Sequence, residues 1–280
     1  MQKRRPRPKA TGIILLKELR RHEWIFQFPR LTEEVDDRLD AAIDWMRCNV
    51  RMAKGGFRDL IREYPEHLDA YHHLALTWYR QGRMARAAEA WRDGVKLALK
   101  LFPARFSMKR DRLLWGFIEN RPFLRLYHGY GIALLRRGQP EPALEVFNNL
   151  LSLNPNDNQG VRAMVVEANF ELGRSQAVLD LCDRYPHDGL EQLMFGRPLA
   201  FFQLGRLKEA SRAFRRAAKS WPLIARELVK TRHPRRSHWD ADERVALGSE
   251  DQAYAYWREH GKFWRNTPGA LTFARTILGC

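Results

Sequence analysis

A glycine followed five residues later by an alanine recurs along this chain, as Gly82/Ala87, Gly138/Ala143 and Gly205/Ala210. Large apolar residues at helical spacing flank each pair, so each reads as two helices joined at the glycine, with the alanine letting the second helix pack closely. In the first such segment Tyr71, Leu74, Ala75 and Trp78 precede Gly82, and Ala87, Trp91 and Gly94 follow it. The second places Tyr127, Tyr130, Gly131 and Leu134 before Gly138, then Ala143, Phe147 and Pro155. A later one places Met194 and Phe201 before Gly205, then Ala210, Phe214, Ala217 and Pro222. One hairpin cannot bury its own apolar face, so such units must stack on their neighbours. With 45% hydrophobic residues in 280, the chain has enough apolar material for that core.

These spacings resemble the tetratricopeptide repeat. The resemblance implies an all-α fold, a right-handed superhelix of the α-solenoid kind. Between the first two clear units the glycines lie 56 residues apart, where about 34 is usual, so an inserted helical segment is expected at residues 102–123. The stretch from Gln159 to Pro186 keeps Leu172-Gly173-Arg174 but has Ala177 only four residues after the glycine, so it reads as a degenerate repeat whose turn is one residue short. Upstream, Glu33 to Cys48 and Phe57 to Tyr64 read as a further helix pair joined at Lys54-Gly55-Gly56 and closed by Pro65. The expected organisation is a disordered basic tail (1–12), N-terminal helices with a degenerate repeat (13–66), the repeats with their insertion (67–222) and a C-terminal helical cap (223–280). In that cap Ser249 and Gln252 form a capping-box signature for a helix through His260, and Pro268 suits the first turn of a last helix.

Three strings resemble a narrower group. Trp115-Gly116-Phe117-Ile118-Glu119-Asn120-Arg121-Pro122-Phe123-Leu124-Arg125, Leu153-Asn154-Pro155-Asn156-Asp157-Asn158-Gln159-Gly160 and Trp264-Arg265-Asn266-Thr267-Pro268-Gly269-Ala270-Leu271 are similar to strings in tetratricopeptide proteins like the suppression of tumorigenicity seven family. That resemblance implies an interaction scaffold and carries over no catalytic residues. The residues themselves also read as structure, since Asn and Asp build turns and cap helices.

Lys and Arg outnumber Asp and Glu by 49 to 33, a net +16 that favours acidic or polyanionic partners. Residues 1–12 carry basic side chains and no acid, and Arg232-His233-Pro234-Arg235-Arg236-Ser237-His238 forms a second basic stretch. Cys48, Cys182 and Cys280 stand singly, without the spacing of a disulfide framework or a zinc site, and fit a cytoplasmic protein. No apolar run reaches the length of a signal sequence or a membrane span. Phosphate-loop, dinucleotide and nucleophile-elbow motifs are missing, and His72-His73 point about 100° apart on a helix, so neither a cofactor, a metal nor an enzymatic activity is expected. The paired carboxylates Glu33-Glu34 and Asp36-Asp37 follow Thr32 and suit the positive end of a helix.

In the resembled fold the first helix of each repeat lines the groove. Its groove-facing positions here include His72, Leu76, Tyr79 and Arg80, then Arg125, His128, Ile132 and Arg136, then Phe195, Leu199 and Phe202. Leu76 and Ile132 stand where relatives that clamp a peptide carboxylate carry asparagine, which argues against such a clamp. The expectation is a non-enzymatic scaffold that binds a peptide or protein segment, acidic in part, through His72, Tyr79, Arg80, Arg125, His128, Arg136, Phe195 and Phe202. The alternative is an RNA- or ribosome-associated protein anchored by the basic tail and loop, which fits no recognised nucleic-acid signature.

Overall fold

In the computed structural model, residues 14–234 and 245–279 are described, in two units that meet at residue 161. The basic tail and Arg235 to His238 lie outside the described residues. Among those residues no helix is long and apolar enough to cross a membrane.

The first unit opens with a β-hairpin, β1 (Leu15–Arg20) and β2 (Glu23–Gln27), where the sequence suggested only helices. Its tight turn uses His22 at φ 66° rather than a glycine, so the usual hairpin signature is missing. Trp24 and Phe26 point inward from β2 and are buried. Three helical hairpins follow: α1 (Glu33–Cys48) with α2 (Val50–Glu63), α3 (Leu68–Arg80) with α4 (Met84–Leu99), and α5 (Arg121–Arg136) with α6 (Pro140–Leu153). Glu33, Glu34 and Asp36 occupy the first turn of α1, as the dipole argument requires.

The joint of the first pair is not at Lys54-Gly55-Gly56, which lie inside α2. It is Asn49, whose side chain accepts a hydrogen bond from the Met52 amide at 3.1 Å and starts the new helix. Gly56 serves close packing instead. A Cβ there would sit 3.0 Å from that of Ala42 on α1.

The insertion is not a helix either. Residues 102–117 run as turns and extended chain, and only Ile118–Asn120 makes a short 3-10 turn. Pro103 and the ring cluster of Phe102, Phe106 and Phe123 around Phe26 and Trp24 fix its course. The segment works as a surrogate third strand. The Trp24 amide donates to the Arg112 carbonyl at 2.9 Å, and the Arg112 amide donates to the His22 carbonyl at 2.7 Å. Asn120, fully buried, accepts from the Phe26 amide at 3.1 Å and donates to the Trp24 carbonyl at 3.0 Å. Asp111, also fully buried, accepts from the Ser107 amide at 2.7 Å and lies 2.8 Å from His22 Nδ1. This carboxyl is held well below the usual range, first by the Arg110 guanidinium, then by the Ser107 amide and His22.

The second unit contains α7 (Val161–Glu171) with α8 (Ser175–Arg184), α9 (Glu191–Gln203) with α10 (Leu207–Ser220), then α11 (Pro222–Val229), α12 (Glu250–Arg265) and α13 (Ala270–Leu278). Gly82, Gly138, Gly173 and Gly205 all adopt φ between 67° and 73°, and each next helix starts two residues on. The α7/α8 turn is therefore full length, not one residue short. Val178, buried, takes the position of the alanine, and the larger side chain faces Gly196 of α9. Cys182 on α8 is buried, and burial pushes its thiol up to about 12, which makes it a packing residue. Ser249 caps α12 by accepting from the Gln252 amide at 3.1 Å, while the Gln252 side chain accepts from the Gly248 amide. The last helix starts at Ala270 rather than at Pro268, after Gly269 at φ 79°.

Within this unit α12 lies across the first helices. Phe263 packs on Phe170 of α7 at 5.2 Å and Tyr256 on Phe195 of α9 at 5.4 Å, while Lys262 pairs with Glu167 at 3.5 Å and with Glu171. Trp264 is buried against Phe214. Each such side chain contributes about 1.5–3 kcal/mol by leaving water. The cap is thus part of the core.

Candidate protein-binding face

The expected groove residues fall into two groups. In the second unit Phe195 is fully buried and Leu199 nearly so, in one core with Phe214, Tyr256 and Trp264. Phe202 is half-buried against Phe273 of α13 at 4.9 Å. Phe195 is therefore not a groove residue. The period of α9 identifies its inner face correctly, but α12 and α13 cover that face.

In the first unit the inner faces of α1, α3 and α5 are open, and two cavities lie along them. A cleft of about 180 Å³ is lined by His72, Leu76 and Tyr79 of α3, Trp91 of α4, and His128 and Ile132 of α5. A larger pocket of about 370 Å³ lies toward the starts of these helices, between Leu39 of α1, His67 and Leu68 at the head of α3, Pro122 of α5, and Phe28 and Ile118. Arg125 lines both. Arg80 and Arg136 are exposed at the far ends of their helices.

The chemistry of this face is more neutral than its sequence suggests. Arg125 does not offer a free charge. Its Nε and Nη2 donate to the two carboxylate oxygens of Asp69 at 3.1 and 2.5 Å, a two-point bridge across 56 residues of sequence. Burial pulls the imidazole of His72 down to about 3 and that of His128 down to about 4, so both are uncharged at neutral pH. His72 Nδ1 accepts a hydrogen bond from Trp91 Nε1 at 3.3 Å, which orients the indole beneath Tyr79.

The larger pocket holds an unmatched group. His67 is 2% exposed, and among the described residues neither of its ring nitrogens has a hydrogen-bond partner. Burial lowers its basicity, against the pull of Asp69, Asp36 and Glu66. Burial also raises the Asp36 carboxyl, with Asp40 and Asp69 adding to the effect. Unpaired buried polar atoms of this kind cost about 1–3 kcal/mol. A bound group that hydrogen-bonds to His67 would remove that penalty.

The polar residues of the motif strings hold backbone in place. Asn154 is buried and accepts from the Trp115 amide at 3.2 Å, Asp157 accepts from the Val161 amide at 2.7 Å, and Gln159 donates to the Leu124 carbonyl. Arg121 donates to the Trp115 carbonyl and stacks over its ring at 5.3 Å. In the second basic stretch, His233 stacks on Trp257 at 3.7 Å and lies 2.8 Å from a Glu227 carboxylate oxygen. The sequence missed the pocket at His67, because Asp36, His67 and Arg125 come from three separate hairpins and carry no common spacing.

Comparison with known proteins places this arrangement. The sequence profile of the Tcf25 family, described as transcriptional repressor TCF25, matches residues 31–255. The chain belongs to this family. The TCF25 match begins just before α1 and ends within α12, so it takes in the helices of both units from α1 into α12 and leaves β1, β2 and α13 outside. It is a different family from the one that the three strings resemble. A curated relative, "Probable transcription factor claV" of Ampulloclitocybe clavipes, is 29% identical over 133 residues, 46% of this chain. The chain spans only 17% of that relative's length. Among solved structures, MamA superimposes with a TM-score of 0.51 at 14% identity, over 70% of this chain and 96% of its own. The TPR-like repeats of a kinesin light chain-type protein of Podosopora anserina give 0.50 at 14% identity, over 69% and 97%. At that identity these neighbours show the fold alone, and the fold is tetratricopeptide-like.

Proposed function

We propose that this TCF25-family chain is a non-enzymatic protein-interaction scaffold whose first unit captures a polypeptide segment along α1, α3 and α5. The observation that carries this reading is that Arg125 lines both cavities, with a buried histidine in the larger one whose ring nitrogens have no hydrogen-bond partner among the described residues. Tyr79 and Ile132 supply apolar contact at one end, and His67 supplies hydrogen bonding at the other. With Arg125 neutralised by Asp69, shape and hydrogen bonds govern recognition in the middle of the groove, and acidic side chains of the partner meet charge at Arg80. The family description and the relative's name support a setting in transcriptional regulation.

Site-specific photo-crosslinking tests this. A benzophenone amino acid at position 79 or 118 should capture one partner segment in extracts of the source cell, mapped by mass spectrometry, and the same group at Leu204 of the second unit should not. Equal capture at all three positions, or none at 79 and 118, would overturn the assignment. The RNA-anchor alternative gains no support from the described residues, since the tail and most of the basic loop lie outside them.

A further inference from the structure

One cluster of positive charge in the first unit lies away from the groove, around Trp78. Lys54 Nζ lies 3.9 Å from the centroid of that indole, Arg86 Cζ 4.8 Å and Arg58 Cζ 5.6 Å. Arg83, at the start of α4, adds to the same field. Among the described residues none of the four has a carboxylate within ion-pair distance, and Lys54 has only the side-chain oxygen of Gln81, at 3.2 Å. Lys54 loses basicity, first through burial and then through the repulsion of Arg58, Arg86 and Arg83. Cations held together over an aromatic ring are drawn by its π-face and repelled by each other. An anion would relieve that repulsion.

The cluster borders a cleft of about 450 Å³ between α2, α3 and α4, with Ile61, Tyr71, Leu74 and Ala90 among its walls. Glu89 and Asp93, the latter bridged to Arg92, also line it, farther along α4. We propose that this cleft docks an acidic polypeptide segment, whose carboxylates meet Arg58, Arg83 and Arg86 and whose apolar side chains enter between Ile61 and Leu74. Two features favour polypeptide over nucleic acid. Trp78 is 8% exposed and already covered by cations, so no base stacks on it. A continuous phosphate chain leaving the basic end would also run toward Glu89 and Asp93, whereas a peptide places its charges unevenly.

The test is fluorescence anisotropy on the full chain with three labelled probes: a short peptide of Glu and Leu at helical spacing, its Gln-for-Glu counterpart, and a single-stranded RNA of matched length. The acidic peptide should bind at least ten-fold more tightly than the other two. The R58E/R83E/R86E variant should lose at least ten-fold of that affinity, while the charge-matched control K208E/R212E/R215E on α10 stays within two-fold of wild type. If the triple variant does not fold by circular dichroism, R83E and R86E, each at an exposed position, should each lose several-fold. Equal binding of the neutral peptide, tighter binding of the RNA, an unaffected triple variant, or an equal loss in the control would each overturn the proposal.

Discussion

Gly129 gives the sharpest test of how the groove is built. A Cβ at this position on α5 would lie 2.4 Å from both Cε2 and Nε1 of Trp91 and 2.9 Å from its Cζ2. Carbon contacts settle at about 3.5–4.0 Å, so the Gly129→Ala variant must displace the indole by more than about 1 Å. The ring can yield only toward the cleft it lines, at the expense of its present contacts. It is 2% exposed, packed near His72 and Tyr79, and donates to His72 Nδ1. Alanine in a helix interior is favoured over glycine by about 1 kcal/mol. Against this stand about 1–3 kcal/mol for overpacking and about 1 kcal/mol for the hydrogen bond. The net expectation is a loss of about 1–3 kcal/mol, or roughly 2–4 °C of melting temperature for each kcal/mol. Gly55 is the control, because it also lies inside a helix, α2, but nothing stands within 4 Å of its Cβ position. Gly55→Ala should gain about 0.5–1 kcal/mol. Thermal and urea melts of the two variants, followed by circular dichroism, decide the matter. If Gly129→Ala is as stable as wild type, the close approach of α5 to Trp91 is not the constraint described.

The surrogate strand yields two further tests. Asn120→Ala leaves the Phe26 amide and the Trp24 carbonyl without these partners and should cost about 2–3 kcal/mol, read as faster amide exchange at Trp24 and Phe26 than in wild type. Asp111→Asn removes an acceptor whose native proton affinity is depressed, so its stabilising effect is complete above the unfolded carboxylate pKa of about 3.9 and declines as pH falls from there toward the lower native value; the gap between wild type and variant should be widest at pH 7 and narrow steadily from about pH 4 to pH 2 in melts. The buried histidines act in another window. With native values of about 3 for His72 and about 4 for His128, against about 6.5 when unfolded, the unfolded chain binds more protons between these limits, so stability should drop as pH falls from 7 to 5. His128→Gln should flatten that slope in pH-dependent urea melts, and an unchanged slope would show that His128 is solvated.

The hairpins were legible because their signals are local. Gly82, Gly138 and Gly205 each mark a left-handed turn, and Ala87, Ala143 and Ala210 are each fully buried where the second helix packs. The features that escaped depend on contacts distant in sequence. The β-hairpin is completed by Arg112 and Asn120, about ninety residues downstream, and its turn at His22 carries no glycine. The insertion looked helical because a length of about twenty extra residues in an all-α chain suggests one more helix. Its rings instead pack around Trp24 and Phe26, which only the hairpin presents. Phe195 was assigned to the right face of the right helix, yet no periodicity within α9 reports that α12, sixty residues on, returns to cover it.

The same distinction explains the charge. Helical period places Arg125 on the inner face of α5, and it is there, but the face an arginine occupies says nothing of whether its charge is free. Asp69, on the neighbouring hairpin, takes its Nε and Nη2 donors through both carboxylate oxygens. Around Trp78 the reverse holds: Lys54, Arg58 and Arg86 come from α2 and α4, look unremarkable in sequence, and converge with no carboxylate within ion-pair distance among the described residues. A net charge of +16 is therefore no guide to where an acidic partner would sit. What decides it is which cations the fold leaves uncompensated, and in the first unit that criterion separates the near-neutral centre of the groove on α1, α3 and α5 from the basic cleft on α2, α3 and α4. Two surfaces with different chemistry on one unit accord with the two docking proposals above, one resting on shape and hydrogen bonds and the other on charge.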